Sequence, residues 1–142
     1  MTVHFTNNIT EVPRLGEWIA GVGQTYGLSE DKVFQLNLAL EEALVNCMQY
    51  AYPNKTNMPI DLSCRKEDNH LIFLLEDEGQ PFDPTKEQRS EDKGTRTKDN
   101  GNMSVEEMPL GGLGILLMHE YAQSIHYRRQ DGHNLLTITF DI

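Results

Sequence analysis

Apolar residues recur along this chain with two different periods, and each change of period marks an element. Thr2 to Phe5 is a short stretch rich in β-branched and aromatic side chains, which predicts a strand. Val12, Leu15, Ile19, Val22 and Tyr26 then recur at steps of three and four, one face of a helix. Thr10 is the expected cap of that helix, Pro13 falls in its first turn, and Gly27 ends it, while Gly21 and Gly23 weaken it. A second helix opens at Ser29, with Glu30 and Asp31 placed favourably against its dipole. Val33, Leu36, Leu40, Ala43, Cys47 and Ala51 form its buried stripe, and Pro53 and Asn54 stop it.

The period then falls to two. Ile60, Leu62 and Cys64 alternate with Asp61, Ser63 and Arg65, the pattern of a half-buried strand. Glu67-Asp68-Asn69 makes a turn, and Leu71 to Leu75 is continuously apolar, which predicts a strand covered on both faces. From Thr85 to about Leu110 the chain has no aromatic residue and few apolar ones, so a functional lid or a disordered segment is expected. Gly111 to Tyr121 reads as a glycine-led helix, and Ile125 to Arg129 with Leu135 to Phe140 as a hairpin around Asp131-Gly132. This order predicts an α+β fold: a two-layer sandwich with helices on one face of a mixed sheet.

Composition narrows the functional classes. A chain of 142 residues with 38% hydrophobic content suits one domain with its own core. The formal net charge of −10 repels phosphate backbones and argues against direct nucleic-acid binding, although a local Mg²⁺ site can still accept one nucleotide. Cys47 and Cys64 sit in apolar patterns and read as buried thiols in a reducing, cytoplasmic compartment. The opening MTVHFTNNIT has neither a basic start nor an apolar run, so no signal peptide is expected, and the apolar runs are far short of a membrane span. His4, His70, His119, His126 and His133 form no spaced ligand set, and Trp18 flanks the apolar stripe of the first helix as a core residue.

Three clusters carry candidate chemistry. In EEALVNC, Glu42 and Asn46 are four apart and share a helix face; a carboxylate beside an amide oxygen can hold hydrated Mg²⁺ or order a nucleophile. In EDEGQPFDP, Asp77 ends the apolar strand, and Gly79 allows either close backbone approach or a positive φ. In PLGGLGILLMHEY, Gly111, Gly112 and Gly114 precede an apolar helix whose first N–H groups can face an anion. Each cluster alone also fits a plain structural role: a solvated helix face, a turn, and a linker into a core helix.

Jointly and in this order, EEALVNC, DEGQPFDP and GGLGILLM resemble the asparagine box and the two glycine boxes of the histidine kinase-like (Bergerat-fold) ATPases. The polar segment between the glycine boxes resembles that family's ATP lid. EDEGQPFDP, EEMPLGGLGI and the tail HYRRQDGHNLLTITF resemble the stand-alone anti-sigma-factor serine/threonine kinases, and the resemblance covers nearly all of residues 1–142 as a single domain. It implies that Glu42 acts as base toward the attacking hydroxyl, that Asn46 binds Mg²⁺, and that Asp77 accepts from the adenine amino group. It also implies that Gly79 passes close to the base and that Gly112, Leu113 and Gly114 lie on the phosphate side. Lys86, Arg89, Lys93, Arg96 and Lys98 of the lid are phosphate candidates that position alone does not rank.

The implied cofactors are ATP and Mg²⁺. The implied partners are an anti-anti-sigma protein, as phosphoacceptor, and a sigma factor; no membrane is implied, and a homodimer is left open. Tyr50 stands where many members have His, and Gln123-Ser124 where many have an Asp-rich stretch, which bears on substrate choice and catalytic vigour. The main rival is a nucleotide-gated protein-binding switch with little or no kinase activity.

Overall fold

The computed structural model describes residues 1–86 and 118–142. Strand β1 (Thr2–Thr6) leads to helices α1 (Val12–Tyr26) and α2 (Glu30–Asn46), followed by a π-helical turn (Cys47–Ala51). Strands β2 (Pro59–Glu67), β3 (His70–Asp77), β4 (Ser124–Gln130) and β5 (His133–Asp141) complete the sheet, in the order β1-β2-β3-β5-β4. The α+β sandwich is as expected, but the sheet is not mixed. All four pairings are antiparallel. The reason lies in the connections. The helix pair α1–α2 runs out and back and returns the chain to the end of the sheet it left. Tight turns at Asp68 (φ 54°) and at Asp131-Gly132 (φ 51° and 81°) reverse the chain directly.

Helix starts and stops show which local bonds won. Ser29 caps α2 by accepting from the Lys32 N–H at 3.1 Å, and Gly27 ends α1 with a left-handed φ of 65°. Thr10 does not cap α1. Asn8 accepts from the Thr10 N–H and hydroxyl and starts a 3₁₀ turn (Ile9–Glu11), after which α1 begins. Glu11 turns back instead to accept from the Thr6 N–H and hydroxyl at 2.9 and 2.7 Å, which holds its carboxyl below the usual range. Gly23 serves packing: a Cβ there would lie 2.6 Å from Val33 Cγ2, so its absence lets α1 settle on α2.

The core lies between the helices and one sheet face. Leu15, Ile19, Leu36, Leu40 and Leu44 meet Ile60, Leu62, Leu71, Phe73, Ile138 and Phe140. Each such side chain contributes about 1.5–3 kcal/mol on burial. Phe73 makes edge-on contacts with Trp18 and Phe140, centroids 6.2 and 5.6 Å away. In β3, however, Leu71, Phe73 and Leu75 are buried while Ile72 and Leu74 are only partly so. The strand is covered on one face rather than two, because both helices lie on the same side. Among the described residues, no helix is long and apolar enough to cross a membrane.

Candidate functional site

Strand parity places two polar residues inside the core layer. On β3 the inward positions run Leu71, Phe73, Leu75 and then Asp77; on β5 they run Asn134, Leu136, Ile138 and Phe140. Asp77 and Asn134 are register partners, exposed by only 5% and 4%. Both are satisfied by hydrogen bonds, as burial demands. Asp77 Oδ1 accepts from the Gly79 N–H and from Asn134 Nδ2, both at 2.8 Å, while Oδ2 accepts from the Cys47 thiol at 3.1 Å. Burial, reinforced by the Asp77 charge, pushes the Cys47 thiol well above its usual pKa, so it stays a protonated donor.

Gly79 follows Asp77 into the turn, and its role is close approach. It is absent from the glycines with positive φ. A Cβ at Gly79 would sit 2.2 Å from the Ala51 carbonyl oxygen, so only glycine lets the turn lie against the π-helical turn of Cys47–Ala51. The Ala51 carbonyl accepts from the Gln80 N–H at 2.9 Å. Tyr52 ties the same region together: its hydroxyl donates to the Pro59 carbonyl and accepts from the Glu78 N–H, both at 2.7 Å. Burial first, with nearby negative charge, pushes its phenol up to about 12.

The second cluster comes together on α2. Asn46, 2% exposed, donates through Nδ2 to Glu42 Oε2 at 3.0 Å. Glu42 is half-buried, and desolvation raises its carboxyl pKa; the Asn46 bond opposes this and the Glu41 charge adds to it. The two clusters adjoin, since Asn46 is followed by Cys47, whose thiol bonds to Asp77. Beside Asp77 lies a small cavity of about 20 Å³ lined by Ala43, Cys47, Leu75, Phe82 and Asn134, among others, but not by Glu42 or Asn46. That is room for about one water. Phe82 forms part of its wall and packs on Tyr50, ring centroids 5.2 Å apart. A wider groove of about 610 Å³ between α1 and α2, lined by Gly23, Val33 and Phe34, includes none of the motif residues.

Glu42 and Asn46 are thus brought together on α2, and Asp77 and Gly79 at the end of β3, the two pairs linked through Cys47. Gly112, Leu113 and Gly114 lie outside the described residues, as do all of the lid beyond Lys86 and its candidates Arg89, Lys93, Arg96 and Lys98. Tyr127, Arg129 and Asn134, which lie in the tail HYRRQDGHNLLTITF but outside the three boxes and were given no role there, adjoin Asp77 and Gly79. Tyr127 OH and Arg129 Nη1 donate to Asn134 Oδ1, and Arg129 Nη1 donates to the Gly79 carbonyl at 2.7 Å. The available signal was parity: Asn134 is a polar residue in an inward-facing apolar series. Among the described residues, no three His, Cys, Asp or Glu side chains form a metal cluster. His4, His70 and His133 pair instead with Asp61, Asp141 and Glu76.

A five-stranded antiparallel sheet with helices α1 and α2 on one face, and a buried carboxylate beside the C-terminal end of α2, define a two-layer class of α+β domain. The family described as the histidine kinase-like ATPase domain matches residues 5–140, and the chain belongs to it. It is 27% identical over 114 residues to the serine-protein kinase RsbW of Bacillus subtilis (strain 168), covering 80% of this chain and 68% of that protein. It is 30% identical over 106 residues to the serine/threonine-protein kinase BtrW of Bordetella bronchiseptica, covering 75% and 68%. The fold is similar to the histidine kinase domain of the Erythrobacter litoralis EL346 blue-light activated histidine kinase, with a TM-score of 0.55 at 14% identity. That match covers 93% of this chain, which spans 59% of the length of the other. A further match is to the SiaB–SiaC complex of Pseudomonas aeruginosa, TM-score 0.51 at 13% identity, covering 99% and 89%.

Proposed function

We propose that this protein binds ATP with Mg²⁺ and transfers the γ-phosphoryl group to a serine or threonine of a protein partner, as an anti-sigma regulatory kinase. The observation that carries the reading is the buried Asp77 facing a cavity at the strand end, with Glu42 and Asn46 on the adjoining helix. A buried acceptor matched to an exocyclic amino group discriminates strongly for adenine. The cavity is too small for a base, so Phe82 has to move for adenine to reach Asp77.

The donor set fits Mg²⁺. It is a hard cation that takes oxygen ligands and is usually held by one or two protein groups together with phosphates and water. Asn46, with Glu42 beside it, supplies side-chain oxygen at that point. Bound Mg²⁺ would supply charge stabilisation to the transferring phosphoryl. Glu42 holds the acceptor hydroxyl: as its oxygen forms the new P–O bond and the bond to the β-phosphate breaks, its proton passes to the Glu42 carboxylate and ADP leaves. Its raised pKa makes that carboxylate a better proton acceptor than a solvated one. The relatives named as serine kinases support the reaction class. The partners we propose are an anti-anti-sigma protein as phosphoacceptor and a sigma factor as regulated target.

The test is phosphotransfer to the cognate acceptor, or to a co-purifying protein, by wild type, Glu42→Gln and Asn46→Ala. Glu42→Gln should bind Mg²⁺-ATP normally yet phosphorylate at least ~100-fold more slowly. Asn46→Ala should lose Mg²⁺-dependent affinity. Wild-type rates from Glu42→Gln would overturn the kinase mechanism in favour of a nucleotide-gated binding switch.

A further inference from the structure

Asp77 has two oxygens, and they are held in different ways. Oδ1 takes a main-chain N–H from Gly79 and an amide N–H from Asn134, both at 2.8 Å. Oδ2 takes only the Cys47 thiol, at 3.1 Å. A thiol is a weak donor on a freely rotating bond, so it yields readily to a better one. Oδ2 is therefore the oxygen that can be offered to a ligand amino group, while Oδ1 is committed to the protein.

The Asn134 amide cannot turn over. Its Oδ1 receives the Tyr127 hydroxyl, Arg129 Nη1 at 3.2 Å and the Phe82 N–H at 3.3 Å, and its Nδ2 donates to the Gln80 carbonyl at 2.8 Å as well as to Asp77. A flipped amide would set donors against donors and acceptors against acceptors. Arg129 extends the same grip to the Gly79 carbonyl at 2.7 Å. The C-terminal hairpin thus holds the carboxylate and the turn that follows it in one fixed arrangement.

We infer that Asn134, oriented by Tyr127 and Arg129, is the positioning residue that sets selectivity for adenine over 6-oxopurines. It touches no nucleotide in this role. It fixes the torsion of Asp77, so that a lone pair of Oδ2 is aimed at the 6-position of the base. Without that grip the carboxylate rotates and its preference for an amino group over a carbonyl falls.

The inference rests on the ATP reading above, and the experiment separates the two. ADP and inosine diphosphate, which differ at the 6-position, are titrated calorimetrically with Mg²⁺ into wild type, Asn134→Ala and Tyr127→Phe, with thermal melts as a check on folding. Wild type should prefer ADP by at least ~100-fold, well within the reach of a site built for one hydrogen-bonding group. In Asn134→Ala the ratio should fall below about 10, mainly through weaker ADP binding, and Tyr127→Phe should fall between. An unchanged ratio in the variants, or equal weakening of both nucleotides, overturns the positioning role and leaves ATP binding intact. If wild type binds neither nucleotide, the ATP reading fails and takes this inference with it. If Asn134→Ala does not fold, the Tyr127→Phe ratio decides alone.

Discussion

Asp77 and Glu42 are both carboxylates of the candidate site, yet the protein holds them very differently. Asp77 accepts three hydrogen bonds from a turn, a neighbouring strand and a helix, and is almost wholly buried. Glu42 shares one 3.0 Å bond with Asn46 and stays half in solvent at a cost in desolvation. The end proposed for base recognition is therefore built into the fold, so changes there should cost stability and binding together. The end proposed for phosphoryl chemistry is tolerated by the fold rather than used by it, so changes there should spare or even improve stability.

The sharpest way to break this contrast is Gly79→Ala. With its new Cβ 2.2 Å from the Ala51 carbonyl oxygen, the turn has to move, and overpacking of this kind costs about 3 kcal/mol. A urea titration should show that loss, and ATP binding should become undetectable. Asp77→Asn comes next. It keeps an acceptor for Gly79 and Asn134, so it should fold, but it turns an N–H₂ toward the base and should weaken ATP about 100-fold by calorimetry.

These two positions also show how much of the molecule could be read in advance. Periodicity located α1, α2 and the closing hairpin, and the motifs singled out Glu42, Asn46, Asp77 and Gly79. What they missed depends on pairing across the sheet. Asn134 earns its importance from lying opposite Asp77, fifty-seven positions away in the chain, and no local pattern contains that register. The one-sided cover of β3 was likewise hidden, because an apolar run looks the same whether one or two layers protect it. Gly79 was legible as special, but close approach against a positive φ could be decided only by the position of Ala51.

A smaller effect is expected at Tyr52. Its hydroxyl bridges the Pro59 carbonyl and the Glu78 N–H, so Tyr52→Phe leaves two main-chain groups without that partner and should cost about 2 kcal/mol in denaturant unfolding. The smallest effect is predicted for Glu42→Gln, and its sign is opposite. Folding raises the Glu42 pKa above 4.5, so the wild-type carboxyl is best tolerated below pH 4.5 and becomes a burden as pH rises through the raised value. Removing the charge should therefore raise the melting temperature at neutral pH by about 1–2 °C. The gap between variant and wild type should close below pH 4.5. A variant less stable than wild type at neutral pH would contradict the contrast drawn above.

The π-helical turn of Cys47–Ala51 has a consequence of its own. A π turn carries one more residue than an α turn, so the helix accommodates an extra step there. Its outputs point two ways: the Cys47 thiol toward Asp77, and the Ala51 carbonyl toward Gln80 and Gly79. Inserting a further residue between these two, beyond the one the wide turn already absorbs, would turn everything after it by about 100°. The Ala51 carbonyl would then swing away from the turn it supports, whatever side chains remained. Exposed Gln49 and Tyr50 can accept changes of chemistry more readily than the segment can accept a change of count. Insertions here should be far more damaging than substitutions at the same positions.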